Sequence, residues 1–130
     1  MKRFIIAAAA VLAWTAVQGI AADFDGSKLL ICANTEGADC GPGQACTKRR
    51  PDDLGAPAFM RIDFANNSII GPKRTTPIAS VEKSANQLLL QGTELGYAWT
   101  VALDTVNGNL AATLVDRDGA IVLFGACTPL

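Results

Sequence analysis

Residues 87–129 read QLLLQGTELGYAWTVALDTVNGNLAATLVDRDGAIVLFGACTP, and this stretch decides the fold. Tyr97, Trp99, Val101 and Leu103 stand two apart within residues 94–103, the spacing of a strand with one buried face. Residues 104–108 read as a five-residue turn in which Gly108 can take the left-handed position. Residues 109–116 return as a strand, Asp118-Gly119 is a hairpin signal, and residues 120–128 run back again. Residues 87–92, just before, supply one more strand.

The same signals extend toward the N-terminus. In residues 58–64, Met60, Ile62 and Phe64 alternate with Arg61 and Asp63. Asn66-Asn67 tolerate positive φ and read as a hairpin turn. Residues 68–71 follow as a short strand ended by Pro72, then residues 77–83, and residues 27–34 form the first strand. The expectation is an all-β fold, an antiparallel eight-stranded meander closed into a small barrel, with a two-layer β-sandwich as the alternative. Closure leaves no exposed edge, which favours the barrel. An outer-membrane barrel needs strands of about 9–11 residues with an apolar outward face. Several strands here are shorter, and Arg61, Asp63, Glu82 and Lys83 interrupt the pattern.

Residues 1–21 stand apart. Lys2 and Arg3 precede an uncharged apolar run over residues 4–17, and small residues follow it. A spanning helix needs about 20 apolar residues, so this pattern reads as a secretory signal peptide. Residues 22–130 are then a single β domain, periplasmic or secreted, with no stable membrane insertion. Removal of Lys2 and Arg3 leaves nine basic residues against twelve acidic ones, a net charge of −3 that offers nothing to nucleic acid.

An exported chain with Cys32, Cys40, Cys46 and Cys127 reads as carrying two disulfides. Three pairings are compatible with the sequence; the expected one is Cys40–Cys46 with Cys32–Cys127. The first closes a short loop, and the second ties the first strand to the last. Zinc ligation needs closely spaced Cys pairs, which are absent, so no metal is expected. Residues 35–57 carry Gly37, Gly41, Pro42, Gly43, Pro51, Gly55 and Pro57 and read as a long disulfide-pinned loop. Pro51 to Gly55 could form one helical turn within it.

Residues 71–78, 87–99 and 114–129 resemble the corresponding stretches of a family of small exported bacterial proteins without assigned activity. The resemblance spans nearly all of residues 22–130 and implies a Gram-negative envelope origin. It brings no functional residues with it.

The chain has no His, which removes Ser-His-Asp and Cys-His catalysis and the commonest metal ligand. The close carboxylate pairs Asp52/Asp53 and Asp116/Asp118 fall at turn signals. Residues 104–109 and 116–119 lack the spacing of a calcium loop. No enzyme and no cofactor are therefore expected. Two basic clusters remain, Lys48-Arg49-Arg50 and Lys73-Arg74, whose guanidinium groups suit phosphate or carboxylate. Tyr97 and Trp99 could line a pocket, although strands this short predict a filled interior. The leading expectation is a binding module for an envelope protein or anionic envelope polymer. The alternative is a lipocalin-like carrier of a small apolar ligand. A void of several hundred cubic ångströms, roughly the size of small-molecule sites, favours the carrier.

Overall fold

A computed structural model of the protein describes residues 22–130; the signal-peptide reading of residues 1–21 lies outside them. Among these described residues, ten strands form one antiparallel sheet: β1 (Leu30–Cys40), β2 (Thr47–Arg49), β3 (Phe59–Asp63), β4 (Ser68–Ile70), β5 (Thr75–Pro77), β6 (Ser80–Lys83), β7 (Gln87–Glu94), β8 (Tyr97–Asp104), β9 (Asn109–Val115) and β10 (Ala120–Pro129). Nine of them follow the order β5-β4-β3-β1-β10-β9-β8-β7-β6, and β2 pairs with β1 off that path. The sheet curls into an open half-barrel around a single hydrophobic core.

The fold class, the meander and both disulfides agree with the sequence reading. Cys32 and Cys127 face each other across β1 and β10, and Cys40–Cys46 closes the segment between β1 and β2. Disulfides of this kind belong to an oxidising compartment, outside the cytoplasm.

Strand count and closure differ from expectation. Residues 77–83, read as one strand, are split between the end of β5 at Pro77 and β6 from Ser80 to Lys83. Pro77 has no N–H to extend the ladder, and the chain changes partner just after it. Ile78 N–H donates to Asn67 O at 2.8 Å, on the β4 side, and Ala79 N–H donates to Gln91 O at 2.8 Å, on the β7 side. The two margins therefore meet without a continuous ladder, and the barrel stays open. Single contacts link them: Thr76 Oγ1 donates to Thr93 O at 3.4 Å, and Arg74 Nε lies 3.0 Å from Glu94 Oε1.

The first strand is also longer than residues 27–34. It begins at Leu30 and continues to Cys40, with a bulge at Thr35 that shifts register between Asn34 and Glu36. The bulge lets a segment rich in small and polar residues stay in the sheet. Residues 35–40 are thus strand, and the expected loop over 35–57 is further interrupted by β2. The Pro51–Leu54 segment is a 3-10 turn, ended by Gly55 at φ 75°.

Inward residues fill one end of the half-barrel. Leu30, Ile62, Leu88, Leu90 and Leu103 are fully buried there. Residues 22–29 cover this floor: Phe24 packs on the core against Gly108, and Lys83 Nζ donates to Asp25 O at 2.9 Å. The opposite end is built differently.

Candidate functional site

At that opposite end the interior opens into a cavity of about 570 Å³. Its walls come from alternate residues of the curled sheet: Met60 on β3, Ile69 on β4, Trp99 and Val101 on β8, Ala112 and Leu114 on β9, and Ile121 and Leu123 on β10. Leu54 and residues 55–58 form a further wall, so the loop after β2 partly covers the space. The expected filled interior is correct only for the floor. Small residues at inward positions explain the difference.

Gly92 lies opposite Trp99 in the β7–β8 ladder. A Cβ there would stand 2.6 Å from Trp99 Cε2 and 2.8 Å from Pro77 O. Glycine thus gives the indole a flat seat on β7. Gly37 does the same for Leu54, whose Cδ1 would lie 2.7 Å from an added Cβ. Ala112, paired with Val101 on one side and Leu123 on the other, contributes only a methyl group. Of these three small residues only Ala112 lines the cavity and leaves its wall recessed, while the two glycines let Trp99 and Leu54 lie close against the sheet.

Two buried polar atoms, on residues that line the cavity, have no partner among the described residues. Asn34 is 6% exposed and lies on the core-facing side of β1, in series with Leu30 and Cys32. Its Nδ2 donates to Pro57 O at 2.8 Å, whereas Oδ1 accepts nothing. Trp99, also 6% exposed, has an unengaged Nε1–H. Both residues line the cavity.

The mouth mixes charge with apolar surface. Asp52, Lys73, Arg74 and Glu94 stand there, with Arg74 engaged by Glu94. Phe59 and Leu95 are 62% and 70% exposed on the same rim. Leu95 sits in the β7–β8 turn at φ 49°, a backbone region that asparagine or glycine takes at lower cost.

Of the sequence-predicted residues, the structure brings together Lys73, Arg74, Tyr97 and Trp99 on one cavity. Lys48, Arg49 and Arg50 are elsewhere. Lys48 and Arg49 lie on β2, outside the main path of the sheet, and Arg50 leads into the 3-10 turn. Lys48 pairs with Glu36 at 3.4 Å and Arg50 with Asp53 at 3.5 Å, both in exposed positions. The basic clusters therefore do not form one surface around the cavity, because β2 docks on β1 rather than following the rim. Asn34, Met60 and Ile69 were not singled out from sequence. Asn34 had a readable signal: a polar residue next in the period-two series after Leu30 and Cys32 on a core face.

The carboxylate pairs do turn work. Asp116 Oδ1 accepts from Asp118 N and Gly119 N, and Arg50 neutralises Asp53. Asp25 and Asp63 have carboxyls held below the usual range by hydrogen bonds from Ser27 and from Asn66, respectively, and neither lines the cavity. Among the described residues, no group of three or more Cys, Asp or Glu is placed to hold a metal ion. Comparison with protein-family models, with curated proteins and with solved structures finds no match.

Proposed function

We propose that this chain is an exported, non-enzymatic carrier of a small apolar ligand, held in the open end of the half-barrel. One observation carries the reading: an apolar-walled cavity of about 570 Å³, within the roughly 300–1,000 Å³ typical of small-molecule sites. Its opening between the rim loops gives a route in, and the packed floor prevents passage through. The apolar run at residues 4–17 and the two disulfides support release into the periplasm or beyond the cell.

The uncharged fluorescent probe N-phenyl-1-naphthylamine tests it. The probe should bind once per chain with increased emission. Ala112→Leu, which fills the recess, should abolish binding, whereas Val106→Ser, at an exposed site outside the cavity, should leave it unchanged. Binding that survives Ala112→Leu at full strength would place the probe elsewhere and sink the carrier reading.

The second reading is an envelope protein or anionic polymer held on the basic residues. Lys73 and Arg49 support it, since neither makes an ion pair among the described residues. It has less behind it, because Lys48, Arg50 and Arg74 are each paired with a carboxylate and exposed pairs contribute only about 0–1 kcal/mol. Capture from envelope extract that vanishes in high salt and in an Arg49, Arg50, Lys73, Arg74→Gln variant would favour this reading over the carrier.

A further inference from the structure

The outward face of the half-barrel, on the other side of the sheet from the cavity, is a second apolar surface. Along β9 and β10 the outward positions alternate with buried Leu110, Ala112, Leu123 and Cys127. None of them, from Asn109 to Val115 or from Ala120 to Thr128, carries a charge. A sheet face turned to water is ordinarily polar. Of the eight large hydrophobic side chains left exposed among the described residues, five gather here: Leu29, Phe59, Val115, Phe124 and Leu130. They lie on, or at the ends of, the adjacent strands β3, β1, β10 and β9. Leu29 and Leu130 extend the β1–β10 ladder, with Leu130 N–H donating to Leu29 O at 3.0 Å. Apolar clustering of this kind marks an interaction surface.

The face has knobs and a hollow. Phe59 pairs with Ala33 across β3 and β1, and Ala33 pairs with Ala126 across β1 and β10. Phe124 stands two residues from Ala126, on the same side of β10. Strand spacing and rise put the Phe59 and Phe124 Cα atoms about 12 Å apart, with the two alanine methyls between them. The phenyl side chains are 62% and 50% exposed, so they stand proud of that floor.

We infer that this face associates with the same face of a second copy, about a two-fold axis passing near Ala33 and Ala126. A two-fold contact needs knob and hollow on one surface, since residue i meets j while j meets i. Phe124 of each copy then covers the alanine floor of the other. The axis also sets nearby side chains against their own counterparts, so a charge there would be repelled; here it falls on alanine. A polyanion would find little to hold: Lys48 is paired with Glu36 at 3.4 Å, which leaves Arg61 on β3. Four strands over about eight residues cover about 500 Å² per copy, or about 1,000 Å² for the pair, the lower limit for specific association. The convex curve of the sheet keeps the contact from growing, so the dimer is weak and forms at micromolar concentration and above. Phe59 is the one exposed side chain of this face that also lines the cavity, and the inference does not depend on the carrier reading.

Sedimentation equilibrium of the oxidised protein, expressed from the full chain, tests it. The weight-average mass should climb from one copy toward two between about 1 and about 500 μM, the range a minimal interface allows. Salt at about 1 M should not reverse the rise, because apolar contact is not screened. Phe124→Ser should weaken association about 10-fold or more. Ala126→Glu should abolish it, as should Ala126→Lys, with circular dichroism unchanged in both. An equal mixture of those two variants should associate again, because a two-fold contact sets position 126 against itself. A mass of one copy at every concentration would overturn the inference, and so would a dimer that Phe124→Ser and Ala126→Glu both leave intact. Failure of the mixture to associate would overturn the two-fold arrangement. A chain that stays monomeric yet is held through Phe124 on phosphatidylethanolamine vesicles would give this face to a lipid surface instead.

Discussion

The floor and the open end of the half-barrel are built from the same strands with the same alternation, yet one is packed and the other hollow. On β8, Leu103 is fully buried at the floor, while Trp99, four residues away on the same face, borders the cavity. None of the largest fully buried side chains, Leu30, Ile62, Leu88, Leu90 and Leu103, lines the cavity. Leucine and isoleucine from facing strands meet at the floor, under a lid made by Phe24. At the open end, Gly37, Gly92 and Ala112 take inward positions and the lid is a loop. Strand periodicity thus decides which side chains point inward. Their summed volume decides whether a core or a cavity results.

The largest effect expected concerns the bond common to both ends. Replacing Cys32 and Cys127 with Ala releases a 95-residue separation between β1 and β10. Loss of a closure this long costs about 3–5 kcal/mol, and at roughly 4–8 °C per kcal/mol the melting temperature should fall by well over ten degrees. Cys40–Cys46 closes a separation of only 6 residues, so its loss should cost about 2 kcal/mol. Equal melting temperatures for the two double variants would contradict the role given to the long closure.

Truncation sharpens the contrast next. Leu103→Ala at the floor should cost about 2–5 kcal/mol, because its neighbours cannot collapse into the space. Leu123→Ala faces the existing cavity and should cost about 1–2 kcal/mol, while changing probe affinity. Denaturant titration and probe binding, measured on both, would break the comparison if the order were reversed.

Gly92→Ala acts on the open end alone. The added methyl must displace the Trp99 indole, at an overpacking cost of about 1–3 kcal/mol. The expected signature is a shift in the emission maximum of Trp99 together with weakened probe binding; unchanged emission would mean the indole does not rest on Gly92.

The smallest effect is one of pH, and it belongs to the floor. Asp63 accepts from Asn66 N at 3.1 Å and from Asn66 Nδ2 at 2.8 Å, in the β3–β4 turn. These bonds lower its folded-state pKa. The stabilisation is therefore complete above the unfolded value of about 3.9 and is lost as pH falls through the lower folded value. Titration of the Asn66 amide by NMR should give a midpoint below about 3.9; a midpoint above that value would be inconsistent with the cap.

Much of the fold was legible in the sequence. Tyr97 to Leu103 at period two, Asn67 at φ 47° and Gly108 at φ 78° behave as their residue types require. What was hidden depends on partners remote in sequence. Residues 35–40 look like loop until β10 pairs with them across the bulge at Thr35. The partner change after Pro77 needs β4 and β7 already in place. The cavity was the hardest to foresee: Gly92 and Ala112 each read as ordinary strand residues, and only the register sets them beside Trp99 and Val101. Of the residues chosen from sequence, Lys73, Arg74, Tyr97 and Trp99 lie together on the cavity, whereas Lys48 to Arg50, chosen for charge alone, lie away from it.

The most direct test of the account is a methyl-resolved NMR titration with N-phenyl-1-naphthylamine. Ring-current shifts should appear at Ile69, Val101, Leu114, Ile121 and Leu123, which line the open end. The methyls of Leu30, Ile62, Leu88 and Leu103 at the floor should stay in place. Shifts spread over both sets, or confined to outward residues such as Val106 and Phe124, would contradict a ligand cavity at the open end.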